Sequence, residues 1–290
     1  MKILITGGAG FVARSLFEVL KNDNTVISCN SKELNLLDTS IVYEYIKNNH
    51  FEVIIHAATY DAAPKTSTKD PSKVLDNNLK MFFNLARCKD YFGKLIYFGS
   101  GAEFGREHWI SEMKEDYFDQ YVPSDQYGFS KYIMTKYALA SSNIYNLRVF
   151  GLFGKYDDWR YRFIPNNCCR AVLGLPITIN QNVSFDYLYI DDLIKIVQWV
   201  IKSEPRHNVY NACSGKIYDF ETLAKKIVKT SSKNLDVIIK NKGLGREYSG
   251  DNTLLLNELK AFEFTSVDDA IIDLYHWYDL NKHIIRKDQL

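Results

Sequence analysis

Apolar runs of strand length alternate with amphipathic segments through the first half of the chain. Strand-like runs fall at 2–6, about 25–29, 52–58, 94–99 and 144–150, and helix-like ones near 11–21, 39–49, 72–91 and 126–142. Leu16, Val19 and Leu20 keep the i, i+3, i+4 spacing of one helix face, whereas Val53-Ile54-Ile55 is apolar throughout and suits a strand buried on both sides. This alternation predicts an α/β fold, a doubly wound parallel sheet covered by helices on both faces. Beyond about residue 154 the pattern loosens, punctuated by Pro165, Gly174 and Pro176. Asp191-Asp192 is expected to cap a helix with the stripe Leu193, Ile196, Val197, Val200 and Ile201. A short strand follows near Val209–Ala212, and the rest reads as mostly helical up to the charged tail Lys282–Leu290. The expected division puts 1–153 and about 183–213 in a large domain, and about 154–182 and 214–290 in a smaller, interleaved mixed α/β lobe.

The first strand runs into Thr6-Gly7-Gly8-Ala9-Gly10-Phe11-Val12-Ala13 and then a helix. A strand, a tight turn and a helix N-terminus aim free N–H groups and the positive end of the helix dipole at whatever lies over the turn. A dinucleotide pyrophosphate is the usual occupant. Gly7, Gly8 and Gly10 let backbone and phosphate approach closely, Phe11 and Val12 open the helix beneath, and Ala13 takes the third position, where a small residue lets helix and strand pack. A glycine cluster alone also makes a structural turn; its place between strand and helix favours a Rossmann-type dinucleotide site. At the end of the second strand, enzymes that use NAD usually carry an acid for the ribose 2′-hydroxyl. Asn30, Ser31 and Lys32 offer donors and a positive charge there, which suit a 2′-phosphate, with Arg14 as a helper. The expected cofactor is therefore NADP(H).

Composition narrows the class without naming it. At 290 residues, 46% hydrophobic and 24% charged, the chain is long enough for a large core, and its net charge of +1 gives no pull toward nucleic acid or an anionic membrane. No apolar run reaches the ~18 residues that span a bilayer, and a start that is itself a core strand is not expected to be a cleaved signal. Cys29, Cys88, Cys168, Cys169 and Cys213 contain no CxxC pair and read as reduced, mostly buried cysteines of a cytoplasmic protein. The six histidines show no metal spacing, so no metal site is expected.

Tyr127-Gly128-Phe129-Ser130-Lys131 places Tyr127 and Lys131 four apart, on one face if the segment is helical. A phenol with an ordinary pKa near 10 exchanges protons poorly at neutral pH, and an ammonium beside it lowers that value. Tyr43 and Lys47 repeat the spacing. What favours Tyr127 is its place after the fourth strand, Lys94–Ser100, whose C-terminal Ser100 lies where doubly wound folds hold their ligands. The plainer alternative is a helix-capping serine and a surface Tyr–Lys pair.

These segments together resemble the extended short-chain dehydrogenase/reductase family, in its nucleotide-sugar-modifying branch. The likeness rests on Thr6–Phe11, Asp38, His56-Ala57-Ala58, Asn78, Ser100 with Gly105 five later, and Tyr127 with Lys131. Glu33-Leu34-Asn35-Leu36-Leu37-Asp38 is similar to GDP-L-fucose synthases and the sugar 4-ketoreductases near them. The resemblance implies Ser100, Tyr127 and Lys131 as catalytic residues. It also implies Lys131 and Tyr127 on the nicotinamide ribose, Leu37 and Asp38 at the adenine, and Ala57, Ala58 and Asn78 at the cofactor cleft. His56 is expected to shape that cleft rather than to react. The helices near 72–91 and 126–142 are those that relatives use to form dimers, with Met81, Phe82, Leu85 and Met134 as interface or core.

Departures from the family pattern narrow the chemistry. Sugar 4,6-dehydratases carry an Asp-Glu pair directly after the catalytic hydroxyl residue, where this chain has Gly101 and Ala102. Fucose synthases epimerise with a cysteine two positions after that residue and a histidine before Ile-Pro, where this chain has Ala102 and Arg162. Glu103 and Cys168 are leftover proton carriers at unfamiliar positions. Phe185 replaces a frequent arginine before Asp186, and Gly151 and Lys155 replace the asparagine and proline of a familiar turn. Arg160, Arg162, Arg170 and Arg246 are candidates to hold a substrate diphosphate, with Arg162 and Arg246 preferred. The expected activity is NADPH-dependent reduction of a 4-keto nucleotide sugar by a homodimer. The alternatives are an epimerase or dehydratase of the same fold and a non-catalytic NADP-binding sensor.

Overall fold

In the first strand, β1 (Lys2–Thr6), Ile3 and Ile5 join one buried cluster and Leu4 another, because successive side chains of a strand face opposite ways. A strand apolar on both faces requires a layer on each side of its sheet. The computed structural model, which describes residues 1–61 and 67–290, supplies both layers. Along the first half follow α1 (Phe11–Leu20), β2 (Thr25–Cys29), α2 (Thr39–Asn49), β3 (Phe51–His56), α3 (Val74–Ala86), β4 (Phe92–Ser100), α4 (Gln126–Leu139) and β5 (Ile144–Val149). The second half contributes β6 (Gly151–Phe153), α5 (Phe163–Val172), β7 (Ile177–Asn182), β8 (Ser184–Tyr189), α6 (Ile190–Lys202), β9 (Val209–Ala212), β10 (Ile217–Asp219), α7 (Phe220–Ser231), β11 (Val237–Leu244), α8 (Thr253–Glu258) and α9 (Val267–Leu280).

The main sheet is parallel throughout, in the order β2-β1-β3-β4-β5-β9. Val42 and Ile46 of α2, Phe82 and Leu85 of α3 and Met134 of α4 pack on one face, and α1 and α6 supply the other. The strand order reverses between β1 and β3, so their connections leave in opposite directions and open a crevice at the C-terminal strand ends. The chain is thus the doubly wound α/β fold that the hydrophobic pattern predicts, with a smaller lobe that carries one mixed three-stranded sheet and one parallel two-stranded sheet.

The second half departs from expectation in several places. Of the stretch 183–213, β8 joins the three-stranded sheet β10-β8-β6, whereas β9 closes the main sheet. Val237–Leu244, within a region read as mostly helical, pairs in parallel with β7. Its side chains are largely exposed, so neither apolar period was available to mark it. Asp191 and Asp192 lie inside the first turn of α6, with Tyr189 at the cap. Asp192 instead accepts from Thr265 N (2.8 Å) and Thr265 Oγ1 (2.9 Å), tying the C-terminal segment to α6. Phe82, Leu85 and Met134, weighed as interface or core, are core: they are buried within this one chain, and Met81 lines a cleft. None of the three leaves surface for a second copy. No helix among the described residues is long and apolar enough to cross a membrane.

Candidate active site

The glycine turn after β1 is shaped by close backbone approaches. Gly7 has φ +75°, which disfavours any side chain, and a Cβ there would stand 2.7 Å from Ala58 Cα. Gly8 sits against the end of β2: its N–H donates to Cys29 O (2.9 Å), and a Cβ would meet Ser28 Oγ at 2.7 Å. Gly10 caps α1 with no side-chain acceptor, and no acid occupies the first turn. The first N–H groups of α1 are therefore left for an external anion, which is the fit a pyrophosphate requires. A cleft of about 530 Å³ opens over this turn, lined among others by Gly7, Gly10, Asn30, Ser31, Leu37 and Ala58.

Around this cleft, several residues expected at the cofactor also bond to protein groups. Asn78 is buried, and its amide is fully engaged: Nδ2 donates to Val74 O (2.8 Å) and Tyr60 O (3.0 Å), and Oδ1 accepts from Tyr60 N (2.8 Å). It holds the 57–60 wall in place. Thr6 Oγ1 links His56 Nδ1 (2.9 Å) to Ala58 N (3.3 Å), and burial pushes the His56 pKa down to about 3, so the ring stays neutral. Asp38 caps α2, accepting from Ser40 N and Ile41 N. Phe11 and Val12 pack against the core beneath the turn. Lys32 is exposed beside Asn30 and Ser31, and Glu33 turns back so that its carboxylate accepts from Asn30 N (2.8 Å). Arg14, expected near the 2′-phosphate, lies elsewhere: its guanidinium stacks on Tyr156 at 3.9 Å, because its helix position faces the small lobe.

A second cleft, of about 480 Å³, contains Ser100 and Tyr127 together with Asp61, Arg106, Asp157 and Arg162. Ser100 ends β4 and also caps the next turn: Oγ accepts from Ala102 N (3.2 Å), and Ser100 N donates to Glu103 Oε1 (2.9 Å). The capping role and the cleft position therefore coexist. Tyr127 stands in the first turn of α4, which Asp125 caps by accepting from Gly128 N (2.9 Å). Burial, with the Asp61 charge adding to it, pushes the Tyr127 pKa up to about 12, while Ser100, Arg162 and Arg106 pull the other way.

The expected tuning of Tyr127 by Lys131 is not seen. Lys131 donates to Phe98 O (2.8 Å), its Nζ stands 5.7 Å from the Tyr127 ring centre, and the cations that act on the phenol are Arg162 and Arg106. Burial lowers the Lys131 pKa to about 8, partly offset by the Glu103 charge.

Glu103 is removed from the cleft altogether. It is fully buried, bonded to Arg148 Nε (2.9 Å) and to Thr135 Oγ1 (2.8 Å). Cys168 is equally buried, so neither leftover proton carrier faces the cleft.

Of the four arginines, Arg162 lines the cleft near Asp157 (3.9 Å). Arg246 is exposed and donates to Arg106 O (2.6 Å). Arg160 is paired with Asp158, and Arg170 is turned away, its Nε donating to Pro176 O (2.6 Å).

Sequence reasoning missed Arg106, Asp157 and Tyr248. Asp157 is buried, which pushes its pKa up to about 7 against the pull of Arg162, and its Oδ2 has no partner among the described residues. Trp109, Phe150, Phe185 and Tyr187 complete an aromatic wall that the high Tyr and Phe content foreshadowed without locating. No metal-binding cluster occurs among the described residues.

Comparison with known proteins follows the same lines. The profile of the NAD dependent epimerase/dehydratase family matches residues 3–213. An ADP-L-glycero-D-manno-heptose-6-epimerase of Brachyspira hyodysenteriae is 24% identical, across 89% of this chain and 91% of that protein. The structure of a GDP-L-fucose synthetase from Naegleria fowleri bound to NADP superposes with a TM-score of 0.83 at 17% identity, covering 99% of this chain and 95% of the other. A GDP-mannoheptose C4 reductase from Campylobacter jejuni with NADP bound also gives 0.83, at 18% identity, over 96% and 98%.

Proposed function

The chain belongs to the NAD dependent epimerase/dehydratase family, and from that premise we propose that it is an NADPH-dependent reductase of a 4-keto nucleotide sugar. One observation carries this reading: the residues directly after Ser100 are Gly101 and Ala102, buried and without a group that could carry a proton, and Glu103 beyond them is locked to Arg148. Gly7, Gly8 and Gly10 with the open N-terminus of α1 would hold the pyrophosphate. Asn30, Ser31 and Lys32 would take the 2′-phosphate, and Leu37, Asp38, Ala57 and Ala58 would frame the adenine end. The bound nicotinamide supplies the hydride.

The protein's own part is to bind, orient and protonate. Ser100 donates to the C4 oxygen, and Tyr127, kept protonated by its raised pKa, gives its proton to the oxygen as negative charge develops there. Lys131, the residue expected on the nicotinamide ribose, would turn from Phe98 O to the ribose hydroxyls. Arg162 and Arg106 supply positive charge for a diphosphate, with Arg246 supporting the Arg106 turn. The heptose-6-epimerase likeness favours one second reading, an epimerase that removes and returns hydride at one carbon.

Cofactor stoichiometry separates the two. The protein is incubated with NADPH and GDP-, ADP-, UDP- and dTDP-linked 4-keto-6-deoxy sugars in D₂O, following absorbance at 340 nm and the NMR spectrum of the product. Reduction consumes one NADPH per product and leaves C3 and C5 free of enzyme-dependent deuterium. Conversion without net NADPH loss, or label at either carbon, refutes the reductase reading.

A further inference from the structure

The Ser100 hydroxyl has a neighbour that the reaction above does not use. Tyr248 is buried in the same cleft with its hydroxyl 3.3 Å from Ser100 Oγ. Its ring is fixed from several sides, stacked on Trp109 at 4.1 Å and packed against Phe150 at 5.2 Å and Phe185 at 5.3 Å. The backbone is pinned as well, with Tyr248 N donating to Ser184 O (2.9 Å) and Asp186 N donating to Tyr248 O (3.0 Å). A Cβ at residue 101 would stand 2.6 Å from Tyr248 Cε2. The ring thus fills the space that a side chain directly after Ser100 would need, and the glycine there and the tyrosine fit as a pair.

We infer that Tyr248 is a positioning residue for Ser100, donating its phenol proton to Oγ and thereby turning the serine's own proton toward the reacting oxygen. A hydroxyl carries one proton and two lone pairs. One lone pair of Oγ accepts from Ala102 N (3.2 Å). If Tyr248 donates to the other, Oγ has no acceptor capacity left and its proton must point out into the cleft. Tyr248 is suited to donate: burial pushes its pKa up, so the phenol stays protonated, and among the described residues Oγ of Ser100 is its hydrogen-bond partner. Without Tyr248 the serine hydroxyl is free to rotate, and part of the population presents a lone pair to the substrate carbonyl, where it repels instead of stabilising.

This inference rests on Ser100 serving the substrate oxygen, so one of its tests needs no turnover. In the full chain with NADP⁺ bound, ¹³Cζ-labelled tyrosine gives a Tyr248 resonance identified by its loss in Tyr248→Phe. Ser100→Ala should shift that resonance, because the phenol loses its acceptor. An unmoved resonance overturns the proposal whatever the substrate proves to be.

With a 4-keto nucleotide sugar that the wild type reduces, Tyr248→Phe should lower kcat about tenfold and leave KM within twofold. The same change in a Ser100→Ala background should cost nothing further. A tenfold loss in both backgrounds, or a change confined to KM, shows a packing role only and overturns the proposal. If the wild type reduces no such sugar, the substrate reading fails by itself, and the resonance decides the Ser100–Tyr248 link alone.

Discussion

Removing the Glu103 carboxylate should cost more stability than any surface change in this protein. Arg148 and Glu103 are both fully buried, with Arg148 Nε 2.9 Å from Glu103 Oε2. The guanidinium has one further hydrogen bond, to Asn211 Oδ1 at 2.9 Å, and lies over the Phe104 ring at 4.4 Å, while its Nη2 has no hydrogen-bond partner among the described residues. Glu103→Ala therefore leaves a charge that is always ionised, enclosed and without its ion-pair partner, a situation that costs about 3–5 kcal/mol. Ser100 N and Thr135 Oγ1 lose their acceptor in the same step, so about 4 kcal/mol is a conservative figure. With an unfolding entropy of roughly 2.1 cal/mol/K for each of 290 residues, or about 0.6 kcal/mol/K, the melting temperature should fall by about 7 °C. Differential scanning calorimetry and urea unfolding at pH 7 measure both quantities. Arg148→Met on top of Glu103→Leu should recover more than half of the loss, since no lone charge then remains. A loss below about 1 kcal/mol for Glu103→Ala, or a double variant whose cost is the sum of the singles, refutes the reasoning.

Three further outcomes are expected. Tyr127→Phe should lower kcat by roughly 10²–10⁴ in a steady-state assay and leave the NADPH dissociation constant nearly unchanged, since the glycine turn is intact; an unaltered kcat excludes Tyr127 as the proton donor. NADPH should be preferred over NADH by at least about tenfold in kcat/KM, with Lys32→Asp shrinking the ratio, and equal efficiency would show that Asn30, Ser31 and Lys32 do not read the 2′-phosphate. His56 is held to a pKa of about 3 against about 6.5 in an unfolded chain. Between those values the unfolded chain takes up a proton that the folded one refuses, so stability falls as pH drops below 6.5. Urea unfolding from pH 7 to pH 5 should show His56→Gln losing about 2 kcal/mol less than the wild type, and parallel curves would contradict the assignment.

The local signals along the chain were enough to determine the main sheet and the glycine turn. Strand and helix periods arise from neighbours within a few residues or from burial on both faces and leave a repeating trace in sequence, and the glycine cluster is itself a local string, although the approach of Ala58 to Gly7 is made across the sheet. Ser100 and Tyr127 were legible for a related reason: one ends a predicted strand and the other begins the next predicted helix, so topology brings them to one rim. Only the tertiary structure decided which groups surround them. Tyr248 comes from a loop held by isolated pairing with Phe185, Arg148 reaches Glu103 from the neighbouring strand, and Arg106 and Arg162 act on Tyr127 from separate loops. The same was true of residues whose type suggested contact with ligand. Asn78 spends its side chain on the backbone of Tyr60 and Val74, and Phe82, Leu85 and Met134 are covered by their own chain. A hydrogen bond or a burial between elements distant in sequence is fixed by how those elements pack, and no spacing within the sequence encodes it.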